Sequence, residues 1–192
     1  MEEHDEDLIE GEVREEELDP ERDARRRLAL AQIRQYPDAA LKMKARTVED
    51  FDDELKSLAE RMKMLMRDAN GIGLAATQVG VLRRVFVFQP DEEEILAIVN
   101  PEIVEQSDET DVADEGCLSI QGITVPVERS VSVVITGLDE NGEPVRYDLE
   151  GYAARCVLHE TDHLDGILMI DRTTPEARRE ALGALRPRIV LS

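Results

Sequence analysis

The chain carries an H-E-x-x-H motif, in which His159, Glu160 and His163 occupy the three defined positions. In a helix, residues four apart lie one turn apart on the same face, so both imidazoles can bind one metal ion. Glu160, beside the first histidine, can reach a water molecule bound to that ion. A Lewis acid, an activated water and a base are the minimum needed to hydrolyse an amide. The motif therefore predicts a metal-dependent hydrolase.

Two other interpretations of the motif stay open at this point. A solvated helix face can carry two histidines by chance, although the chain has only 3 histidines and two of them fall in this pattern. A generic zinc protease takes its third ligand, Glu or His, from beyond the helix. No histidine follows His163, but Glu176 and Glu180 do.

A candidate third ligand is Cys117, in the segment E-G-C-L-S. One thiolate and two imidazoles leave a fourth metal position for water. Cys156 competes, because it lies three residues before His159 on nearly the same helix face. Cys117 has the advantage of lying off the helix, in a stretch that can approach from another side. It can also be a small buried residue without chemistry. A disulfide between the two cysteines would need an oxidising compartment, and the sequence shows no signal peptide.

A third stretch, G-I-G-L-A-A-T-Q, runs from Gly71 to Gln78. Two glycines two apart allow unusual backbone angles and let a ligand approach closely. Gln78 supplies an uncharged hydrogen-bond donor. By itself this stretch is equally consistent with a connection between a helix and a strand.

In this order, G-I-G-L-A-A-T-Q, E-G-C-L-S and H-E-T-D-H resemble the three defining motifs of the peptide deformylases. The resemblance extends from about Ala29 to about Ala184, and Asn100-Pro101 and Val127-Glu128-Arg129 also fit. Two departures concern the shape of the pocket. Leu158 stands where the family usually has Gln before the first His, and Ile120-Gln121-Gly122 follows C-L-S where Pro-Gly is common.

The resemblance implies a role for each candidate residue. The metal ligands are Cys117, His159 and His163; the general base and acid is Glu160; the oxyanion donors are Gln78 and the backbone N–H of Leu118; the substrate contacts are Ile72 and Gly73. The implied reaction removes the formyl group from the N-terminal formyl-methionine of nascent polypeptides and releases formate. The implied cofactor is one divalent metal ion, ferrous iron, with zinc, nickel or cobalt as alternatives among which the sequence does not choose. A metalloprotease or amidase of broader specificity and a non-catalytic binding module are the alternative functions.

Charge is unevenly distributed along the chain, whose formal net charge is −21. Met1 to Asp23 contains 13 acidic and 2 basic residues and few apolar ones. This composition predicts an N-terminal extension over residues 1–23 that is largely disordered or at most forms a transient helix, followed by a catalytic domain over 24–192. An acidic chain is repelled by nucleic acid, so no direct DNA binding is expected. No apolar run is long enough to span a bilayer, and a cytoplasmic location without membrane contact is expected.

Hydrophobic periodicity and turn signals predict an α+β fold, with antiparallel β-sheets packed around a central helix that carries the H-E-x-x-H motif. Helices are expected over Arg22–Tyr36, after a capping box at Thr47–Asp50, and near Pro175–Leu185. Strands are expected near Arg84–Gln89, Ile95–Val99, Val131–Leu138 and Pro144–Leu149. Asn141-Gly142 is the strongest hairpin signal in the chain.

Basic residues are concentrated after the motif helix. The cluster comprises Arg172, Arg178, Arg179, Arg186 and Arg188. Such a cluster can contact RNA phosphates, and weak docking on the ribosome would bring a deformylase to its substrate. An ordinary charged helix face is the favoured interpretation.

Overall fold

The computed structural model describes residues 19–91 and 93–185. It confirms the α+β class. The helices are α1 (Pro20–Leu30), α2 (Asp53–Asp68), α3 (Gly151–Leu164), α4 (Met169–Arg172) and α5 (Pro175–Ala184), with short 3₁₀ helices at Ala39–Lys42 and Ala76–Val79. The strands are β1 (Gly73–Ala75), β2 (Val85–Phe88), β3 (Leu96–Gln106), β4 (Thr110–Cys117), β5 (Ile120–Ser130), β6 (Ser132–Leu138) and β7 (Pro144–Glu150).

Two antiparallel sheets make up the β-structure of the described residues. The larger has 5 strands in the order β1-β2-β3-β6-β7, and the smaller pairs β4 with β5. Side chains alternate between the faces of a strand. Val85 and Val87 of β2 accordingly pack with α2, whereas Phe86 and Phe88 pack with α3. All 4 residues of β2 are buried, so the large sheet lies between the two helices.

The motif helix follows directly from the predicted hairpin. The turn between β6 and β7 is confirmed, and Gly142 in it has a φ of 86°. β7 ends at Glu150 and α3 begins at Gly151, which has a φ of 55°. The helix ends at Leu164, and Gly166 turns the chain away with a φ of 72°. Both predicted ends of the motif helix are therefore confirmed.

The start of α2 differs from the prediction. Asp52, not Thr47, is its N-cap, and the Asp52 side chain accepts a hydrogen bond of 2.9 Å from the Leu55 N–H. The predicted capping box at Thr47–Asp50 is therefore wrong. A carboxylate at the N-cap satisfies a free N–H and also complements the helix dipole, so it defines the start more strongly than the earlier threonine.

The N-terminal helix is shorter and starts earlier than predicted. α1 spans Pro20–Leu30 rather than Arg22–Tyr36, with Asp19 as its N-cap. Most of the predicted acidic extension, residues 1–18, lies outside the described residues, and its last residues belong to α1. In the part of the chain that the structure describes, no helix combines the length and apolar character that crossing a membrane requires.

Candidate metal centre and active-site pocket

Three metal-binding side chains meet between α3 and the small sheet. The ligand atoms of Cys117, His159 and His163 all lie within 4.8 Å of one another. Cys117 Sγ lies 3.3 Å from His163 Nε2, and the two Nε2 atoms lie 3.2 Å apart. The histidines come from successive turns of α3, whereas Cys117 is the last residue of β4. The cluster is therefore formed by residues from two separate parts of the fold.

The chemistry of this cluster fits a divalent metal ion. His159 Nδ1 lies 3.0 Å from Glu115 Oε2, and donation of its N–H leaves the Nε2 lone pair free for a metal. Burial lowers the pKa of His163 well below its usual value, so its imidazole is neutral. Burial opposes a charge on His159, yet hydrogen bonds to Cys117 and Glu115 raise its pKa well above its usual value. The three ligand atoms lie close enough together to bind one ion, and one thiolate with two imidazoles is a ligand set that divalent ions such as zinc and iron accept.

The competing ligands lie outside this cluster. Both cysteines are free thiols, so the disulfide interpretation is wrong. Cys156 is buried, and its Sγ lies 3.4 Å from the carbonyl oxygen of Ile72, to which it donates. Glu176 and Glu180 lie on α5 and are not part of the metal-binding group found among the described residues.

Glu160 is placed beside the ligands as a buried carboxylate. It is 4% exposed, and its Oε2 has no hydrogen-bond partner in the described part of the chain. Burial raises its pKa to about 7, because water no longer solvates the charged form. A carboxylate with such a pKa can both accept and return a proton near neutral pH.

Gln78 faces the cluster from the first motif. Its Oε1 accepts a hydrogen bond of 2.8 Å from the Ala75 N–H, which fixes the orientation of the amide. Its Nε2 is then directed toward Ser119 Oγ, at 3.1 Å, and Cys117 Sγ, at 3.6 Å. The carbonyl of Leu118, in the turn after Cys117, accepts from Gln35 Nε2 at 2.9 Å. Gln78 and Leu118, the two predicted oxyanion donors, both line one pocket.

This pocket has a volume of about 260 Å³ and opens between two strand ends. Its lining includes Ile72 and Gly73 from the β1 side and segment 114–116 of β4. Among the described residues, β1 is an edge strand of the large sheet and β4 pairs with β5 alone. Each strand therefore has an unpaired edge at the pocket, and an unpaired edge can accept a further extended chain.

The residues at which the chain departs from the family pattern lie outside the lining of this pocket. Leu158 is 9% exposed and packs in the core between α3 and the large sheet. Gln121 is exposed near the start of β5. Neither residue lines the pocket described above.

The glycines of the first motif supply space rather than unusual backbone angles. Neither Gly71 nor Gly73 has a positive φ. A Cβ at Gly71 would lie 2.7 Å from Leu118 Cδ1, and one at Gly73 would lie 2.3 Å from Glu160 Oε1. The expectation of unusual angles is therefore wrong. The space at both glycines is taken by side chains of the protein, and close approach of a ligand stays a prediction.

A buried network of charges around His159 was not predicted from the sequence. Glu115 accepts hydrogen bonds from Arg129 Nε at 2.9 Å and Nη2 at 3.0 Å, and from Arg155 Nη1 at 3.0 Å. Arg129 also donates to Asp162 on α3. Burial would raise the pKa of Glu115, but the hydrogen bonds from Arg129 and His159 outweigh it and hold that pKa at about 2. Glu115 is therefore an anion that orients His159.

Local spacing in the sequence relates members of this network within one element, but not the contact between β4 and α3. Glu115 precedes Cys117 by two residues, so both side chains project from the same face of β4. Arg155 precedes His159 by four residues, one turn earlier on α3. Arg129 appeared only as a match to the family pattern, without a role.

Two of the C-terminal arginines form ion pairs. Arg172 Nη2 lies 2.6 Å from Asp162, and Arg178 Nη1 lies 3.0 Å from Asp171. Arg179 lies on α5. Arg186 and Arg188 lie outside the described residues.

Known proteins match this chain over a region that includes the whole site. The family model described as polypeptide deformylase matches residues 30–179. The peptide deformylase of Thermodesulfovibrio yellowstonii is 42% identical over 155 residues, which are 79% of this chain and 93% of that protein. The peptide deformylase of Acidothermus cellulolyticus is 45% identical over 159 residues, which are 83% and 87% of the two chains.

Solved structures agree with the sequence comparison. The crystal structure of peptide deformylase from Thermotoga maritima is 46% identical with a TM-score of 0.72, and the similarity covers 74% of this chain and 97% of that one. The enzyme from Synechococcus elongatus, crystallised with actinonin, is 37% identical with a TM-score of 0.76, over 79% and 85% of the two chains. The matched region contains the cluster, Glu160 and Gln78. This chain belongs to the peptide deformylase family.

Proposed function

We propose that this protein hydrolyses the formamide of N-terminal formyl-methionine on nascent polypeptides, yielding formate and a free amine. One observation carries the proposal: Cys117, His159 and His163 converge within 4.8 Å beside a buried carboxylate, in a member of the peptide deformylase family. The same cluster argues against a non-catalytic module, because a binding surface has no need of an intact metal site with a base.

Glu160 moves the proton in this reaction. A divalent ion held by the three ligands would supply Lewis-acid activation of water. Glu160 accepts the proton of the attacking water, and the new C–O bond forms at the formyl carbon. The same carboxyl group then passes this proton to the leaving amine nitrogen as the C–N bond breaks. A pKa of about 7 suits both transfers.

We assign Gln78 and Leu118 as the hydrogen-bond donors that stabilise the negative charge developing on the formyl oxygen. Nε2 of Gln78 is held in place because its partner oxygen accepts from Ala75. The backbone N–H of Leu118 is the second donor. Donors that are already oriented need no reorganisation as charge develops, and each is worth about 2.7–4 kcal/mol of barrier.

The shape of the pocket supports a short formylated head as substrate. Its volume of about 260 Å³ lies below the range of roughly 300–1,000 Å³ for drug-sized ligands. The unpaired edges of β1 and β4 would hold the following residues in extended conformation, through backbone hydrogen bonds. Ile72 and Gly73 are the substrate contacts on the β1 side. The Ile72 carbonyl already accepts from the Gln89 N–H and from Cys156 Sγ, so both of its lone pairs are used within the protein.

Ferrous iron is the metal that we propose. A set of one thiolate and two imidazoles accepts several divalent ions, so zinc, nickel and cobalt are the competing occupants. Elemental analysis of protein purified without oxygen would identify the native ion. Iron below one equivalent, with zinc near one, would contradict this assignment.

Formate release from formyl-Met-Ala-Ser tests the proposed function. Acetyl-Met-Ala-Ser is the matched control, because it offers the same amide with one more carbon. The proposal predicts formate from the first peptide and far slower release of acetate from the second. Cleavage of an internal peptide bond, with no formate released, would instead establish the broader metalloprotease.

Ribosome docking through the C-terminal arginines stays a prediction. The ion pairs of Arg172 and Arg178 favour an ordinary charged face, because those guanidinium groups already have partners. Reversing Arg178, Arg179 and Arg186 to Glu tests it. Docking requires that ribosome co-sedimentation at low salt drops while turnover of short peptides is unchanged; unaltered co-sedimentation would exclude it.

A further inference from the structure

We propose that Gly73 is a positioning residue for Glu160, because its missing side chain leaves the space in which the Glu160 carboxylate lies. This inference rests on the proposed function, in which Glu160 moves the proton. It differs from the contact with the substrate backbone that family resemblance implies for Gly73.

A side chain at position 73 would collide with the side chain of Glu160. A Cβ on Gly73 would lie 2.3 Å from Oε1, 2.7 Å from Cδ and 2.8 Å from Cγ of Glu160. All three distances are far below van der Waals contact, so one of the two residues would have to move. The clash includes Cγ and Cδ as well as one terminal oxygen, Oε1. A rotation of the carboxylate alone therefore cannot relieve it.

Both Gly73 and Glu160 are held in place by the secondary structure around them. Gly73 is buried and pairs with Phe88 in the large sheet. Glu160 is 4% exposed and lies on α3, which packs against β1. The open space beside Glu160 is the pocket that it lines together with Gly73, and elsewhere the close-packed interior leaves no room for a displaced side chain. A methyl group at position 73 would therefore push the carboxylate away from its place beside the metal ligands.

The backbone conformation at position 73 does not require a glycine. Gly73 has no positive φ, so an alanine could adopt its conformation. Other glycines near the pocket show different surroundings. At Gly71 the nearest atom is the end of a flexible leucine side chain, and at Gly116 a Cβ would meet nothing closer than 3.8 Å. Only at Gly73 among these three would an added Cβ meet the proposed base.

Four proteins test the inference: wild type, Gly73→Ala, Glu160→Ala and the double variant. Gly73→Ala should retain its metal content and its KM within about twofold, while kcat falls by about 10²-fold, the loss typical of a 1 Å misplacement. It should also melt at a lower temperature than wild type. In the Glu160→Ala background the clashing atoms are gone, so adding Gly73→Ala should leave the melting temperature unchanged. Gly183→Ala, with nothing within 4 Å of its Cβ, is the control for adding a methyl group.

Two results would overturn the inference. A raised KM with unchanged kcat would show that Gly73 acts by contacting the substrate. If Gly73→Ala lowers the melting temperature as much in the Glu160→Ala background as in wild type, the clash is not with Glu160. If Gly73→Ala does not fold, folding of the double variant supports the inference and its failure to fold refutes it. Absence of formate release by wild type would refute the proposed function, while the melting temperatures would still test the contact.

Discussion

Replacing Arg129 by methionine should destabilise the protein strongly, because two buried carboxylates would lose a shared partner. The Arg129 side chain is 7% exposed and pairs with Glu115 and Asp162. Removing one member of a buried pair costs about 3–5 kcal/mol. Glu115 keeps Arg155 and His159, and Asp162 keeps Arg172. Because these partners remain, we expect a loss of about 3 kcal/mol.

Thermal unfolding of the metal-free protein, with a chelator present, is the assay, because bound metal would add any difference in metal affinity to the loss. For a protein of this size each kcal/mol lowers the melting temperature by about 2–4 °C, which gives roughly 6–12 °C for Arg129→Met. Arg146→Met is the matched control. Arg146 also has two carboxylate partners, Glu105 and Asp148, but its side chain is 52% exposed. Exposed pairs contribute about 0–1 kcal/mol, so the control should melt within about 4 °C of wild type.

Metal affinity gives a second readout of the same change. Glu115 orients His159, and loss of such a partner typically weakens metal binding by about 10–100-fold. Equal melting temperatures for the Arg129 and Arg146 variants, with equal metal affinity, would refute the reasoning that this network holds β4 and α3 together.

Three further predictions concern the chemistry and the N-terminus. Glu160→Gln keeps the size of the side chain but removes the base, so metal content should stay near wild type while formate release falls by a factor on the order of 10²–10⁴; simultaneous loss of metal would make Glu160 structural. Gln78→Ala removes one oxyanion donor and should lower kcat by about 10²–10³ with a smaller effect on KM; a change confined to KM would contradict this role. Deleting residues 1–18, which precede α1 and the family match, should leave turnover of short formyl-peptides within about twofold; a much larger loss would show that this segment contributes to the site.

Long periodic or strongly signalled elements could be predicted from the sequence. The hairpin at Asn141-Gly142 and both ends of α3 were predicted correctly, because glycine turns and helical spacing are local properties. β4 and β5 were missed. Most side chains of β4 are exposed or half-buried, so the strand lacks the alternation of apolar and polar residues that identifies one.

In the candidate site, too, the features that depend on local spacing could be predicted, and those that depend on packing between elements could not. The pairing of His159 with His163 follows from helical spacing alone, whereas the choice of Cys117 over Cys156 does not. Cys156 lies on the same helix but donates to Ile72, and Cys117 arrives from a strand far away in sequence. The part played by Glu115 likewise depends on how β4 packs against α3, which no local pattern encodes.

Metal content of the two cysteine variants tests the central claim most directly. Cys117→Ser and Cys156→Ser make the same small change, one at the cluster and one beside the pocket. Both should be purified without oxygen and analysed for bound metal together with formate release from formyl-Met-Ala-Ser. Our account predicts that Cys117→Ser loses tightly bound metal and turnover, since it removes the only thiolate ligand, while Cys156→Ser keeps about one equivalent. Full metal content and turnover in Cys117→Ser, with both lost in Cys156→Ser, would contradict it.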